Sequence, residues 1–158
     1  MSNKNDNGDL HTFKHWRFFL SVYIAVAFSA RMSATHVNVG TNAPFLFDVV
    51  VTNIGGAYNN KSGVFVAPLD GVYVFYFMMV NDGAAPTIHA AIEKDGTSLA
   101  VGTSDGLGAS NKYDDGSALV TTRLKKGSHV YVSRRDGGTQ VYGSVYTHFS
   151  GFLLSPDA

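Results

Sequence analysis

The sequence predicts an all-β domain, a sandwich or barrel of short strands, and three observations carry that prediction. From about residue 24 onward, short apolar runs alternate with clusters of Gly, Asn, Asp and Pro. The breaks carry turn chemistry, as in Asn81-Asp82-Gly83, Asp95-Gly96, Asp115-Gly116, Lys126-Gly127 and Asp136-Gly137-Gly138. No helix-length periodic segment follows Arg31. Strands this short and this regularly spaced build sandwiches and barrels.

The candidate strands are 25–31, 45–51, 63–67, 72–80, 87–94, 98–103, 117–124, 129–134 and 145–154. Asp95-Gly96, set between two apolar runs, predicts a tight hairpin turn. The 17 glycines follow no three-residue period, so the sequence contains no collagen-like segment.

The N-terminal part differs. Residues 1–9 are polar, rich in Asn and Asp, and read as disordered. Leu10, Phe13, Trp16, Leu20 and Tyr23 then fall near helical spacing, with Lys14, His15 and Arg17 between them. The apolar run 18–28 is shorter than the about 20 residues that a bilayer span needs, so no membrane span is expected. It is similar to a signal-peptide core behind a basic flank, yet cleavage at Ala25 or Ala27 would cut into the first strand. Residues 1–23 are therefore a signal or anchor remnant or a packed extension, and residues 24–158 are the globular domain.

Composition narrows the function. Hydrophobic residues make up 45% of the 158, enough for a sizeable core. Charged residues are 15%, below the roughly 25% of an average soluble protein, which suggests that another subunit covers part of the surface. Twelve basic residues balance twelve acidic ones, so the broad positive field of a nucleic-acid-binding protein is absent. The lack of cysteine removes disulfides, thiolate zinc sites and cysteine nucleophiles. None of the six histidines falls in a metal-pair motif or beside a nucleophile elbow, and Gly102-Thr103-Ser104-Asp105-Gly106 is too weak for a phosphate cradle. An enzyme is not expected. The sequon Asn60-Lys61-Ser62 matters only if the chain is secreted.

The most informative stretch is 72–80. Alternate residues of a strand face opposite sides of a sheet. Tyr73, Phe75, Phe77 and Met79 fill a core, which leaves Val72, Val74, Tyr76 and Met78 on the outer face. A monomeric sandwich places polar residues there. The apolar stripe needs cover, from a symmetric partner or from a loop or residues 10–23.

A spaced aromatic pattern runs through the same region: Phe47, five residues, Asn53, four residues, Tyr58, six residues, Phe65, five residues, then Gly71, Tyr73, Phe75 and Phe77 in alternation. It resembles the aromatic signature of the complement C1q globular-head family at every specified position. Phe149-Ser150-Gly151-Phe152-Leu153-Leu154 is similar to that family's closing strand, and Val26-Ala27-Phe28-Ser29-Ala30 to its opening one. The resemblance covers roughly 24 to 156. Its positions, with Phe149, Gly151 and Phe152, are expected to be structural core, because aromatics at alternate positions of one strand stack inward.

The resemblance implies a ten-stranded jelly roll related to the tumour-necrosis-factor fold, assembled as a homotrimer through Val72, Val74, Tyr76 and Met78. It implies a secreted, extracellular recognition module, with microbial glycans or lipopolysaccharide, or else a protein receptor, as partners. Some members bind calcium through acidic loop residues. Asp114 falls at the matching position, with Asp105 and Asp115 nearby as further candidates, although calcium needs six to eight oxygen ligands. Ligand contact is expected on loops carrying basic and aromatic residues: Lys112, Tyr113, Arg134, Arg135 and Tyr142. Asp136 is expected to pair with Arg134 or Arg135.

Overall fold

The computed structural model describes residues 25–83, 86–106 and 113–157. The expected extension 1–23 and Lys112 lie outside the described residues. Twelve strands follow in chain order. They are β1 (Ala27–Arg31), β2 (His36–Asn38), β3 (Val49–Ile54), β4 (Tyr58–Asn59), β5 (Val64–Val66) and β6 (Gly71–Asn81). Then come β7 (Ile88–Lys94), β8 (Thr97–Ser104), β9 (Asp114–Leu124), β10 (His129–Gly137), β11 (Gln140–Tyr142) and β12 (His148–Pro156). No described residue is helical.

The strands form two facing antiparallel sheets. The first runs β2-β11-β6-β12-β1-β3, with β9 paired along the other side of β6. The second runs β4-β5-β10-β7-β8. Neighbours in a sheet come from distant parts of the chain, as where β12 lies between β6 and β1, and this is jelly-roll wiring. The count exceeds ten because short segments such as β4 stand as strands of their own.

Two strands start three or more residues later than the sequence suggests. Residues 45–48 precede β3 as extended chain, since Phe45 N–H donates to Val132 O at 2.7 Å and so leaves the sheet ladder. Likewise β12 starts at His148, because 143–147 make a turn in which Gly143 N–H donates to Thr35 O at 2.7 Å. Between β7 and β8, Asp95 (φ 50°) and Gly96 (φ 84°) are both left-handed, the two-residue turn whose twist matches its strands.

Alternation on β6 sets the core. Tyr73, Phe75, Phe77 and Met79 are fully buried between the sheets. Phe75 meets the rings of Phe65 at 5.2 Å and Phe149 at 6.1 Å, while Phe28 stacks on Tyr58 at 4.7 Å. Phe47 joins through Phe149 at 5.6 Å. The motif's Asn53 has another task, for it is half-buried rather than in the core. Its Nδ2 donates to Tyr58 O at 2.9 Å and its Oδ1 accepts from Tyr58 N–H at 3.2 Å, clasping the β3–β4 turn. The Tyr58 hydroxyl then donates to Phe47 O at 3.1 Å, and burial raises its pKa far above the ordinary tyrosine value.

Phe152 departs from the expectation. It is 46% exposed, on the outer face of β12, whereas Phe149 and Gly151 face inward. Residues three apart on a regular strand face opposite sides, so Phe149 and Phe152 cannot share the core. Gly151 takes the inward place because a Cβ there would lie 2.4 Å from Cδ1 of Phe75.

Candidate functional site

Register builds the outer face of the first sheet. Opposite Val72, Val74, Tyr76, Met78 and Val80 of β6 stand Arg123, Thr121, Leu119, Ser117 and Asp115 of β9. On the other side Phe152, Ser150 and His148 of β12 oppose Val74, Tyr76 and Met78. Val72, Val74, Tyr76 and Met78 are half-buried, while Leu119 is 63% exposed. The Tyr76 ring lies 5.6 Å from the His148 ring. Burial lowers the His148 pKa, partly offset by a hydrogen bond with the Tyr146 backbone. Leu119 and Phe152 were not expected on this face, although counting by twos along their strands reveals them.

The end of the sandwich where β6 finishes, its far end, brings together two of the expected contact residues, Tyr113 and Tyr142. The Tyr113 and Tyr142 rings meet edge-on at 5.2 Å, and Tyr142 meets Tyr146 at 5.3 Å. Hydrogen bonding with Tyr113 raises the Tyr142 pKa. Beside them a cleft of about 420 Å³ is lined by Met78, Val80, Tyr113, Asp114, Asp115 and Tyr146. Tyr146 carries no sequence signal, since its place depends on the turn by which β11 passes into β12 along one edge of β6.

The acidic residues fit calcium poorly. Asp114 Oδ2 accepts from the Asp105 backbone N–H at 2.6 Å, and Asp114 O accepts from Ser104 Oγ at 2.8 Å. Asp114 is thus a clasp between β8 and β9. No group of three His, Cys, Asp or Glu side chains suited to a metal ion occurs among the described residues. Asp105, Asp114 and Asp115 offer three carboxylates, one of them already bonded to backbone, where calcium takes six to eight oxygens.

Arg134 and Arg135 separate. By alternation with Val130 and Val132, Arg134 points inward, where it is buried. Its guanidinium donates to Gly137 O at 3.1 Å and to Thr41 Oγ1. Arg135 is exposed. Asp136 pairs instead with His89 Nε2 at 3.6 Å, across the β10–β7 ladder, and His89 Nδ1 lies 2.9 Å from Thr103 Oγ1. This Thr-His-Asp contact is exposed on an open sheet face and lies outside the far-end cleft, so nothing around it among the described residues shields a reacting group from water.

A second, shallower groove of about 660 Å³ lies on the outer face of the second sheet. Tyr131, His129, Asn59, Ser62 and Asp95 give it an aromatic ring beside an amide, a hydroxyl and a carboxylate. The nearby Asn60 amide donates to Asp48 O at 2.9 Å. No described helix is long and apolar enough to cross a membrane.

Known proteins bear out the fold. A chain of the zebrafish complement 1qA globular domain aligns with a TM-score of 0.68 at 17% identity, over 84% of this chain and 98% of that one. Eiger TNF from S. frugiperda aligns equally well, at 15% identity over 85% of this chain and 94% of the other. In sequence, complement C1q tumor necrosis factor-related protein 3 of Mus musculus is 29% identical over 131 residues, covering 83% of this chain and 52% of the relative. Caprin-2 of Danio rerio is 28% identical over 150 residues, which is 93% of this chain and only 16% of that protein. The chain thus spans about half or less of these curated relatives. The C1q domain model matches residues 27–154, so the chain belongs to the C1q domain family, whose modules bind ligands and do not catalyse reactions.

Proposed function

We propose that this domain assembles as a homotrimer through the outer face of its first sheet and acts outside the cell as a secreted recognition module. The supporting observation is the apolar surface spread across β9, β6 and β12: Leu119, Val72, Val74, Tyr76, Met78 and Phe152. Covering it removes apolar area from water at about 25 cal/mol per Å², and a closed symmetric assembly leaves no copy of the face uncovered. Three copies then present each weak ligand site together, which raises avidity without any new contact.

Innate-immune pattern recognition is the preferred role, and the groove beside Tyr131 supports it, since a sugar ring stacks on an aromatic while amide and carboxylate groups hold its hydroxyls. The alternative is a structural or signalling trimer that engages a protein receptor. Light scattering on the protein and on Leu119→Asp tests the assembly. Three times the chain mass, falling to the chain mass in the variant, supports it, and a monomeric parent overturns it. Selective binding on a glycan array supports pattern recognition, and silence there favours the receptor.

A further inference from the structure

The far-end cleft joins an apolar floor, two tyrosine rings and two carboxylates. Antiparallel register sets Val80 opposite Asp115 and Met78 opposite Ser117, so one side of β6 and β9 gives an apolar floor edged by a carboxylate. Tyr113 stands two residues before Asp115, and Tyr146 enters from the turn before β12. These two rings are 55% and 50% exposed, and Tyr142 braces both at 5.2 and 5.3 Å. Among the described residues Asp115 has no ion pair, and no basic side chain lines the cleft.

We propose that this cleft binds a small organic cation, an ammonium group carried on an apolar body, through the rings of Tyr113 and Tyr146 and the carboxylate of Asp115. Aromatic faces carry negative potential and attract a cation within about 6 Å of the ring centroid. The floor of Met78 and Val80 favours methyl or methylene groups over a hydrated inorganic ion, which would find too few oxygens here. A volume of about 420 Å³ falls within the range of small-molecule sites. Among the described lining residues an anion would meet two carboxylates and no cationic group.

Met78 also belongs to the proposed assembly face, so the site rests on an assembly that leaves the far end open. Choline chloride and its uncharged carbon isostere, 3,3-dimethyl-1-butanol, are titrated into the protein with labelled tyrosines, and the mass of each sample is measured. Choline is expected to shift the Tyr113 and Tyr146 resonances and to bind about tenfold more tightly than the isostere. Asp115→Asn and Tyr146→Leu are each expected to weaken it at unchanged mass and melting temperature. Equal binding of the isostere, no shift at millimolar choline, or tighter saturation of these resonances by calcium chloride overturns the proposal. A trimer that ignores choline refutes the cation site alone, whereas a monomer that binds it refutes only the assembly.

Discussion

Replacing Phe75 by alanine removes the ring at the centre of the sandwich. Phe75 is fully buried and meets Phe65 at 5.2 Å, Phe149 at 6.1 Å, Tyr73 at 6.2 Å and Phe28 at 6.4 Å. The loss therefore has two parts, the transfer free energy of the ring and a cavity walled by other rings that cannot close in. Gly151, which packs on the Phe75 ring, has no side chain with which to fill the space. Together these cost about 3–5 kcal/mol, a large part of the about 5–15 kcal/mol that holds a domain folded. With a urea slope of about 2 kcal/mol/M, the midpoint of unfolding falls by about 2 M. Equilibrium urea denaturation followed by near-ultraviolet circular dichroism measures it. A loss below about 1 kcal/mol at unchanged slope would refute the placement of Phe75 and the inward alternation of β6 with it.

Gly151→Ala drives a methyl into the Phe75 ring and is expected to cost about 1–3 kcal/mol. Combining it with Phe75→Leu should recover part of that loss, and strict additivity in the double-mutant cycle would argue against the contact. Asn53→Ala removes both hydrogen bonds of the β3–β4 clasp, for a loss of about 1–2 kcal/mol with faster amide exchange at Tyr58, read by hydrogen exchange. His148 has a folded pKa below the ordinary value of about 6.5, so the unfolded chain takes up its proton first as pH falls. Stability is thus expected to drop as pH falls below about 6.5 and to level off beneath the lowered folded value. Arg31, the β1 residue paired with His148, adds like charge on the same face, while Tyr76 offers only its ring. His148→Gln should flatten this part of the pH profile in thermal melts, and an unchanged profile would exclude His148 as its source.

Much of the fold was legible because a two-residue period needs no partner to be seen. The run 72–80 shows its inner and outer faces in sequence order, and Asp95-Gly96 announces its turn by the two residue types that tolerate left-handed backbone. The short strands β2 and β11 were invisible for the opposite reason. Each has three residues, and they exist because they pair across about a hundred positions of chain, Val37 with Val141. Parity would have placed two residues correctly. Phe152 is an odd step from Phe149, and Arg134 an even step from Val132, so the first turns out and the second in. The far-end tyrosines could not be grouped beforehand, since Tyr113, Tyr142 and Tyr146 meet only once the sheet order puts β9 and β11 on opposite sides of β6.

The pairing of β1 with β12 also decides how the domain hangs from a longer polypeptide. Ala27 stands opposite Phe152, and Leu153 N–H donates to Val26 O at 2.9 Å, so the domain's first and last residues leave at one end. That is the end where β6 begins, with Gly71 beside Pro156, and the tyrosine cleft lies where β6 finishes. At roughly 3.3 Å per residue, the eleven residues of β6 set the two ends about 35 Å apart. A tether joined directly to the start of β1 or the end of β12 therefore leaves the cleft turned away from its anchor. Tension between the two termini acts differently. It pulls neighbouring strands apart from the same end and breaks their ladder bonds one after another, so the sandwich would open like a zip along β1 rather than shear as a block.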